Sequence, residues 1–446
     1  MRTLAANAAL FSQAVGADYD TTVSEGVRSV RDAGENAETR VVVLGAGYAG
    51  LTCFLELQAH LPRHCDLVLV NLDRYHWFTT ELHTYVAGEE ADAIRLPLAR
   101  VVVRPGRLVV GRVQRVDPTE RQVLLADGQT LTYDLLVFAL GSEPEYYGLP
   151  GVAEHSLEVG SWEGARQLRA RVHKLAAFSG GGRPLGRVVV AGGGMTGVEL
   201  AGELADQFPG RLQLTLVEAG PEIMPGFAPD LVHTARKVLQ QKGVEIHTAR
   251  PIVEAEAGQV RLKDGTTLPF DLLVWAAGVR GSAVLAESGF ATNCRGRALV
   301  DPYLRAEGYP DVYVVGDSAS VINPLTSREV PPSGQVAVQM GRHAGRNILR
   351  RLRGQPQEAF VPRLRGAFAS LGQREGVGQI GEEQFVGVPA MLFKEAIEAR
   401  HIWESGGGLM PLIRRLLRAP RFALRRHPFY PPVLPESRHV TESPQT

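Results

Sequence analysis

Two glycine turns constrain this chain more than any other feature. The stretch "RVVVLGAGYAG", Arg40 to Gly50, sets Gly45, Gly47 and Gly50 in the spacing G-x-G-x-x-G, and "RVVVAGGGMTGVELAGEL", Arg187 to Leu204, repeats it at Gly192, Gly194 and Gly197. Both follow strand-like runs, Val41 to Leu44 and Val188 to Ala191, and both open into an apolar helical pattern. The glycine pattern alone arises by chance; strand, turn and helix in that order make the phosphate-gripping end of a βαβ unit. The first glycine permits the turn, the second lets backbone approach a pyrophosphate, and the third lets helix pack on strand. The helix N-terminus then presents unpaired N–H groups and a positive dipole end to the anion. A chain with two such turns is expected to hold two dinucleotides.

The second strand of each unit should end in a residue that grips the adenosine ribose. In "LQLTLVEAG" that residue is Glu218, 26 positions after Gly192. A carboxylate there accepts from both ribose hydroxyls and repels a 2′-phosphate, which favours NAD over NADP. The equivalent position in the first unit, 26 after Gly45, is Asn71, an amide that hydrogen-bonds without charge. Further on, "QVLLADGQTLTYDLLVFALGSEP" and "GQVRLKDGTTLPFDLLVWAAGVR" share one plan of strand, Asp-Gly turn, strand, then Asp-Leu-Leu-Val running into small residues and glycine. Such an internal repeat argues for two copies of one domain type, with the first crossover near Gly148 to Gly151. Lys plus Arg and Asp plus Glu balance at 48 each, so overall charge does not point to nucleic acid. The three cysteines, Cys53, Cys65 and Cys294, are too few and scattered for a disulfide framework and point to a reducing compartment. No apolar run reaches the roughly 18 residues that a spanning helix needs. Residues 1–39 carry no clean periodicity and read as a flexible extension, not a signal peptide.

After the second copy, "PDVYVVGDSASV" delivers Gly316 and Asp317 to a turn. With "GAGYAG", "YHWFTTELH", "YDLLVFALGSEP", "GGGMTGVELAGEL", "VEAGPEIMPGF", "WAAGVRGS", "VVGDSA" and "PPSGQVAVQMG" in order, the stretch from Arg40 to about Leu417 resembles the two-dinucleotide-domain flavoproteins, and within them the type II NADH:quinone oxidoreductases. The resemblance implies an α/β fold of two Rossmann-like dinucleotide-binding domains plus a C-terminal amphipathic membrane-associating region. FAD is expected in residues 40–150 and 277–360, NADH in 151–276, and membrane association in 361–446. The implied enzyme passes hydride from NADH to FAD and two electrons on to a membrane quinone, menaquinone or ubiquinone, without pumping protons. It would lie at the cytoplasmic face of the cell membrane, as a peripheral protein that admits a homodimer.

Residue roles follow from the resemblance by position. Gly45, Gly47 and Gly50 would cradle the FAD pyrophosphate, Asn71 its adenosine ribose and the backbone at Val113 its adenine; Gly141, Gly316 and Asp317 would line the rest, Asp317 reaching the ribityl or pyrophosphate end. Gly192, Gly194, Gly197, Glu218, Ala277 and Gly278 would hold NADH. Gln335 and Gln339, four apart on a helix beginning near Ser333, share a face. In the family these glutamines sit near flavin and quinone, where neutral amides orient a quinone carbonyl. Glu199 has two readings: a carboxylate complementing a helix N-terminus, or, from the family, a group facing the flavin that steers nicotinamide or protons. Glu203 shares its face as packing support. The chain departs from the family at Asn71, where an acid is common, at Gly334 in place of alanine and at Met195 in place of a frequent proline.

Other features carry less. His60, His64 and Cys65 have ligand-like spacing but no fourth ligand, so no metal is expected. The cysteine pair of the disulfide reductases is missing, and Cys294 has no evident partner for sulfide:quinone chemistry. A ferredoxin or rubredoxin reductase, or a slow-turnover NADH-sensing flavoprotein, stays open. Between Ser405 and Pro435 the chain holds six arginines and no acid. There Leu409, Leu412, Ile413, Leu416 and Leu417 form an apolar stripe opposite Arg414, Arg415 and Arg418, the pattern of a helix docked on an anionic membrane surface.

Overall fold

A computed structural model describes residues 39–180, 182 and 184–406. The interfacial helix expected over Leu409 to Leu417 and the N-terminal extension up to residue 38 lie outside the described residues; Thr39 already opens the first strand.

Strand β1 (Thr39–Leu44) enters the first glycine turn and helix α1 (Tyr48–His60), and β2 (Cys65–Asn71) returns parallel to β1 with Leu44 opposite Val70. A short helix, α2 (Leu82–Ala87), follows. The segment Gly106–Val110 extends the sheet beyond β2 in parallel. The insertion itself is three antiparallel strands between Val113 and Thr132. β3 (Leu135–Phe138) then lies beside β1. The runs Val41 to Leu44, Leu67 to Val70 and Leu135 to Phe138 are buried throughout. Unbroken apolar strands are what a parallel sheet covered on both faces requires.

Ser142–Pro144 and Val279–Gly281 pair antiparallel, forming a ribbon through which the chain leaves the first unit and later returns. Between them α3 (Trp162–Phe178), β4 (Gly186–Ala191), α4 (Met195–Gln207), β5 (Leu212–Val217) and β6 (Leu272–Trp275) repeat the plan, again with three antiparallel strands inserted, from Ile252 to Pro269. The strand orders match: β3-β1-β2-(Gly106–Val110) in the first sheet, β6-β4-β5-(Val244–His247) in the second. On its return the chain supplies β7 (Tyr309–Val314), which joins the first sheet beside β3. Helix α5 (Gly334–Leu352) packs against α1 at Gly341, where a Cβ would lie 2.1 Å from the Ala49 carbonyl oxygen. The two units are stapled by Trp77 stacked on Trp162, ring centroids 3.8 Å apart, and by Arg169 of α3 donating to the Tyr85 carbonyl at 2.8 Å.

The last described segment is an antiparallel sheet of Ala367–Ser370, Gly376–Ile380 and Glu383–Val386, followed by α6 (Val388–Glu404). It packs against α4 of the second unit. A Cβ on Gly202 of α4 would lie 2.4 Å from the Leu371 carbonyl carbon, so only glycine admits this contact.

Candidate functional site

The two glycine turns share one geometry. Gly45 N–H donates to the Val70 carbonyl and Gly192 N–H to the Val217 carbonyl, each at 2.7 Å, tying each turn to the end of the second strand. Gly45 and Gly192 have φ of +91° and +107°, and a Cβ on either would lie 2.4 Å from the Ala139 or Ala276 carbonyl oxygen. A Cβ on Gly50 or Gly197 would lie 1.9 Å from the carbonyl oxygen of Gly45 or Gly192. The middle glycines differ: nothing lies within 4 Å of a Cβ built on Gly47 or Gly194, the residues capping α1 and α4. Two of the three positions are therefore closed by the protein itself. The third is an open cradle at a helix N-terminus, shaped for a phosphate group.

Asn71 and Glu218 also correspond. Asn71 Oδ1 accepts from Ala46 N–H at 2.9 Å, and Glu218 Oε2 accepts from Gly193 N–H at 2.6 Å, the same backbone group in each turn. One acceptor oxygen suffices for this bond, so an amide serves the first unit where a carboxylate serves the second. Asn71 Nδ2 is held by the carbonyls of Asp73 and Tyr75, both at 3.1 Å, which orients its oxygen toward the turn.

Around the first turn the carboxyl ends of β3 and β7 bring up Gly141, Gly316 and Asp317, the edge at which open α/β sheets bind ligands. Ser318 Oγ donates to the Gly141 carbonyl at 2.7 Å and Ser142 Oγ to Asp317 Oδ2 at 3.2 Å. Burial pushes the Asp317 carboxyl above its ordinary range, against the Ser142 hydrogen bond and the Arg297 charge. Across a cleft stands the N-terminus of α5, capped by Ser333. Val113 sits apart from this cleft, at the start of the inserted sheet opposite Leu125. In the second unit Tyr147, which sequence reasoning missed, donates from Oη to the Ala277 carbonyl at 3.0 Å and covers Gly278.

Glu199 is not a helix-terminus carboxylate. It is buried where three segments distant in sequence converge: Lys394 Nζ of α6 donates to its Oε1, Ser370 N–H does so at 3.1 Å, and His83 Nδ1 of α2 lies 3.9 Å from its Oε2. Burial works to discharge Lys394, but the carboxylates of Glu199 and Glu81 outweigh it and hold the ammonium above the ordinary amine range. Glu203, one turn along α4, is buried too: burial pushes its carboxyl up to about 8, against the Lys394 charge, so it is mostly neutral at pH 7. Beside this cluster α6 leans on the first glycine turn. Thr80 Oγ1 donates to Glu398 Oε1 at 2.8 Å, and His76 Nδ1 donates to the Ala46 carbonyl at 2.7 Å while its Nε2 lies 3.1 Å from His401 Nε2. Burial pushes His76 down to about 4, which keeps it neutral.

Gln335 and Gln339 do share a face of α5, but their amides are already engaged. Gln335 Oε1 accepts from Arg365 N–H at 2.8 Å, and Gln339 accepts from Arg363 N–H at 2.9 Å and donates to its carbonyl at 3.0 Å. They clamp the segment leading into the C-terminal sheet.

Residues 39–341 match the family described as pyridine nucleotide-disulphide oxidoreductase. Among curated relatives, the chain is 34% identical to the type II NADH:quinone oxidoreductase of Staphylococcus saprophyticus over 82% of this chain and 96% of that one. It is 33% identical, over the same shares, to the enzyme of that name from Staphylococcus aureus. Among solved structures it is similar in fold to NDH2 of Plasmodium falciparum in complex with NADH (TM-score 0.74, 15% identity, 85% of this chain and 98% of that one). The sulfide:quinone oxidoreductase of Aquifex aeolicus is similar too (TM-score 0.71, 21% identity, 83% and 92%).

Proposed function

Because the chain belongs to the pyridine nucleotide-disulphide oxidoreductases and, within them, to the type II NADH:quinone oxidoreductases, we propose that it carries hydride from NADH to FAD and two electrons onward to a membrane quinone. The observation that carries this reading is the pair of matching glycine turns at the ends of two sheets, each with its middle glycine open to a phosphate. Bound FAD supplies the redox chemistry; the chain binds, orients and moves protons. Residues 40–150 and 277–360 form the FAD domain and 151–276 the NADH domain, a division supported by the two sheets. Gly45, Gly47 and Gly50 hold the FAD pyrophosphate, Asn71 and the Val113 backbone its adenosine half, and Gly141, Gly316 and Asp317 the remainder. Gly192, Gly194, Gly197, Glu218, Ala277 and Gly278 hold NADH, with Glu218 repelling the 2′-phosphate of NADPH.

Glu199 Oε1 and Lys394 Nζ keep a proton in a buried site between the two units and α6, suited to a quinone that takes up protons with its electrons. Gln335 and Gln339 support the site by holding the segment at Arg363 and Arg365. On α6, exposed Leu392, Phe393, Ile397 and Trp403 support peripheral docking at the cytoplasmic face of the membrane. No helix among the described residues is long and apolar enough to cross a membrane. Anaerobic mixing of the holoenzyme with NADH should bleach the flavin absorbance, and a menaquinone or ubiquinone analogue should restore it within the turnover time. Reoxidation by ferredoxin and by no quinone would overturn the assignment.

A further inference from the structure

Arg297 is 2% exposed and heads the largest fully buried side chains among the described residues. Its surroundings leave it underused. Among the described residues the one carboxylate at ion-pair distance, Glu329 Oε1, is 3.6 Å from Nη1, and Nε has no hydrogen-bond partner. Glu329 Oε1 already accepts from Asn293 Nδ2 and Ser320 Oγ, both at 2.9 Å. The Arg297 backbone is fixed as well, its N–H donating to Asn293 Oδ1 at 3.1 Å. A guanidinium offers five donors and does not give up its proton, and a buried charge without acceptors is costly. So large a side chain, rigidly mounted and short of acceptors, calls for one that the described residues do not provide.

The cleft it lines identifies that acceptor. Gly316, Asp317, Ser333 and Ala337 share the cleft with Arg297, and the α5 N-terminus there adds further N–H donors and a positive dipole end. Asp317 takes hydrogens, from Ser142 and from any hydroxyl in reach; Arg297 and α5 give them. A ligand for this cleft carries both hydroxyls and negatively charged or carbonyl oxygens. FAD has that combination in its ribityl chain, its pyrophosphate and the pyrimidine edge of its ring.

We propose that Arg297 is a FAD-binding residue, its guanidinium donating from the cleft wall to acceptor oxygens of the cofactor while Asp317 accepts from the cofactor's hydroxyls. This rests on the FAD reading above. The test compares wild-type protein with Arg297→Met and with Arg295→Met, an exposed neighbour. FAD dissociation constants from flavin titration of apoprotein should rise about 10- to 100-fold in Arg297→Met, the loss of a charge-assisted hydrogen bond, and stay unchanged in Arg295→Met. Thermal unfolding separates binding from architecture. Arg297→Met apoprotein should melt no lower than wild-type apoprotein, because an under-satisfied buried charge has been removed, whereas its holoprotein should melt lower. A lowered flavin midpoint potential in Arg297→Met would assign the acceptor to the ring edge, and an unchanged one to the pyrophosphate. The proposal is overturned if Arg297→Met binds FAD as tightly as wild type, or if its apoprotein is destabilised as much as its holoprotein. Wild-type protein that binds no FAD at all would instead sink the functional reading beneath it.

Discussion

Breaking the buried pair between Glu199 and Lys394 from one side should cost far more than removing both partners. Both side chains are nearly buried, and Lys394 Nζ donates directly to Glu199 Oε1. At hydrogen-bonding separation the attraction is about 5 kcal/mol with an effective dielectric near 20, most of it offset by the water both groups gave up on folding. Loss of a single partner leaves an uncompensated buried charge, at about 3–5 kcal/mol. In Lys394→Met the surviving Glu199 keeps the Ser370 N–H at 3.1 Å, which puts the expected loss at the lower end of that range. In Glu199→Gln the surviving Lys394 keeps the charges of Glu81, 3.9 Å away, and Glu398 but loses its direct hydrogen-bonding carboxylate, so a loss in the same range is expected. The double variant removes both charges and should be at least about 2 kcal/mol more stable than the sum of the two single losses predicts. Thermal unfolding midpoints of the four holoproteins at equal flavin occupancy measure this. Strictly additive midpoints would falsify the pairing, and with it the idea that this site holds a proton for quinone reduction.

Other substitutions probe the remaining links. Glu218→Gln keeps an acceptor for Gly193 N–H but loses the charge that repels a 2′-phosphate, so the NADH over NADPH preference in kcat/KM should fall by about tenfold or more while flavin content stays constant; an unchanged ratio would remove Glu218 from the specificity site. Gly47→Ala has room in the fold and should give folded protein that releases FAD, whereas Gly50→Ala meets the Gly45 carbonyl at 1.9 Å and should fail to fold its first unit, as circular dichroism and soluble yield would report. Glu203 binds its proton more tightly folded than unfolded, so its contribution to stability is present at low pH and is lost as pH rises from about 4.5 toward about 8. Glu203→Gln should therefore match wild type near pH 5 and unfold at a higher temperature than wild type at pH 8 to 9; parallel melting curves across that range would show that Glu203 is ionised in the folded protein.

What the sequence determined by itself is local. The roles of the three glycines in each turn depend on backbone sterics and on hydrogen bonds within a single βαβ unit, so the spacing that placed Gly45, Gly47, Gly50 and Asn71 carried over to Gly192, Gly194, Gly197 and Glu218, and the repeat of Asp-Gly turn and apolar strand marked two units. What only tertiary structure decided is which distant side chains meet. Lys394 is 195 residues from Glu199, and Ser370 is 171 residues from it; no pattern along the helix Val388–Glu404 marks one buried lysine among its charged neighbours. Gln335 and Gln339 looked free because their face of α5 was legible and the segment crossing it was not. Arg297 is a buried donor because Ala298–Leu299 pairs with Ala319–Ser320 beside the cleft. Backbone conformation is set by residues a few positions apart, and its demands are written in the sequence as glycine and spacing. Ion pairs and clefts are set by which faces pack, a property of the whole chain.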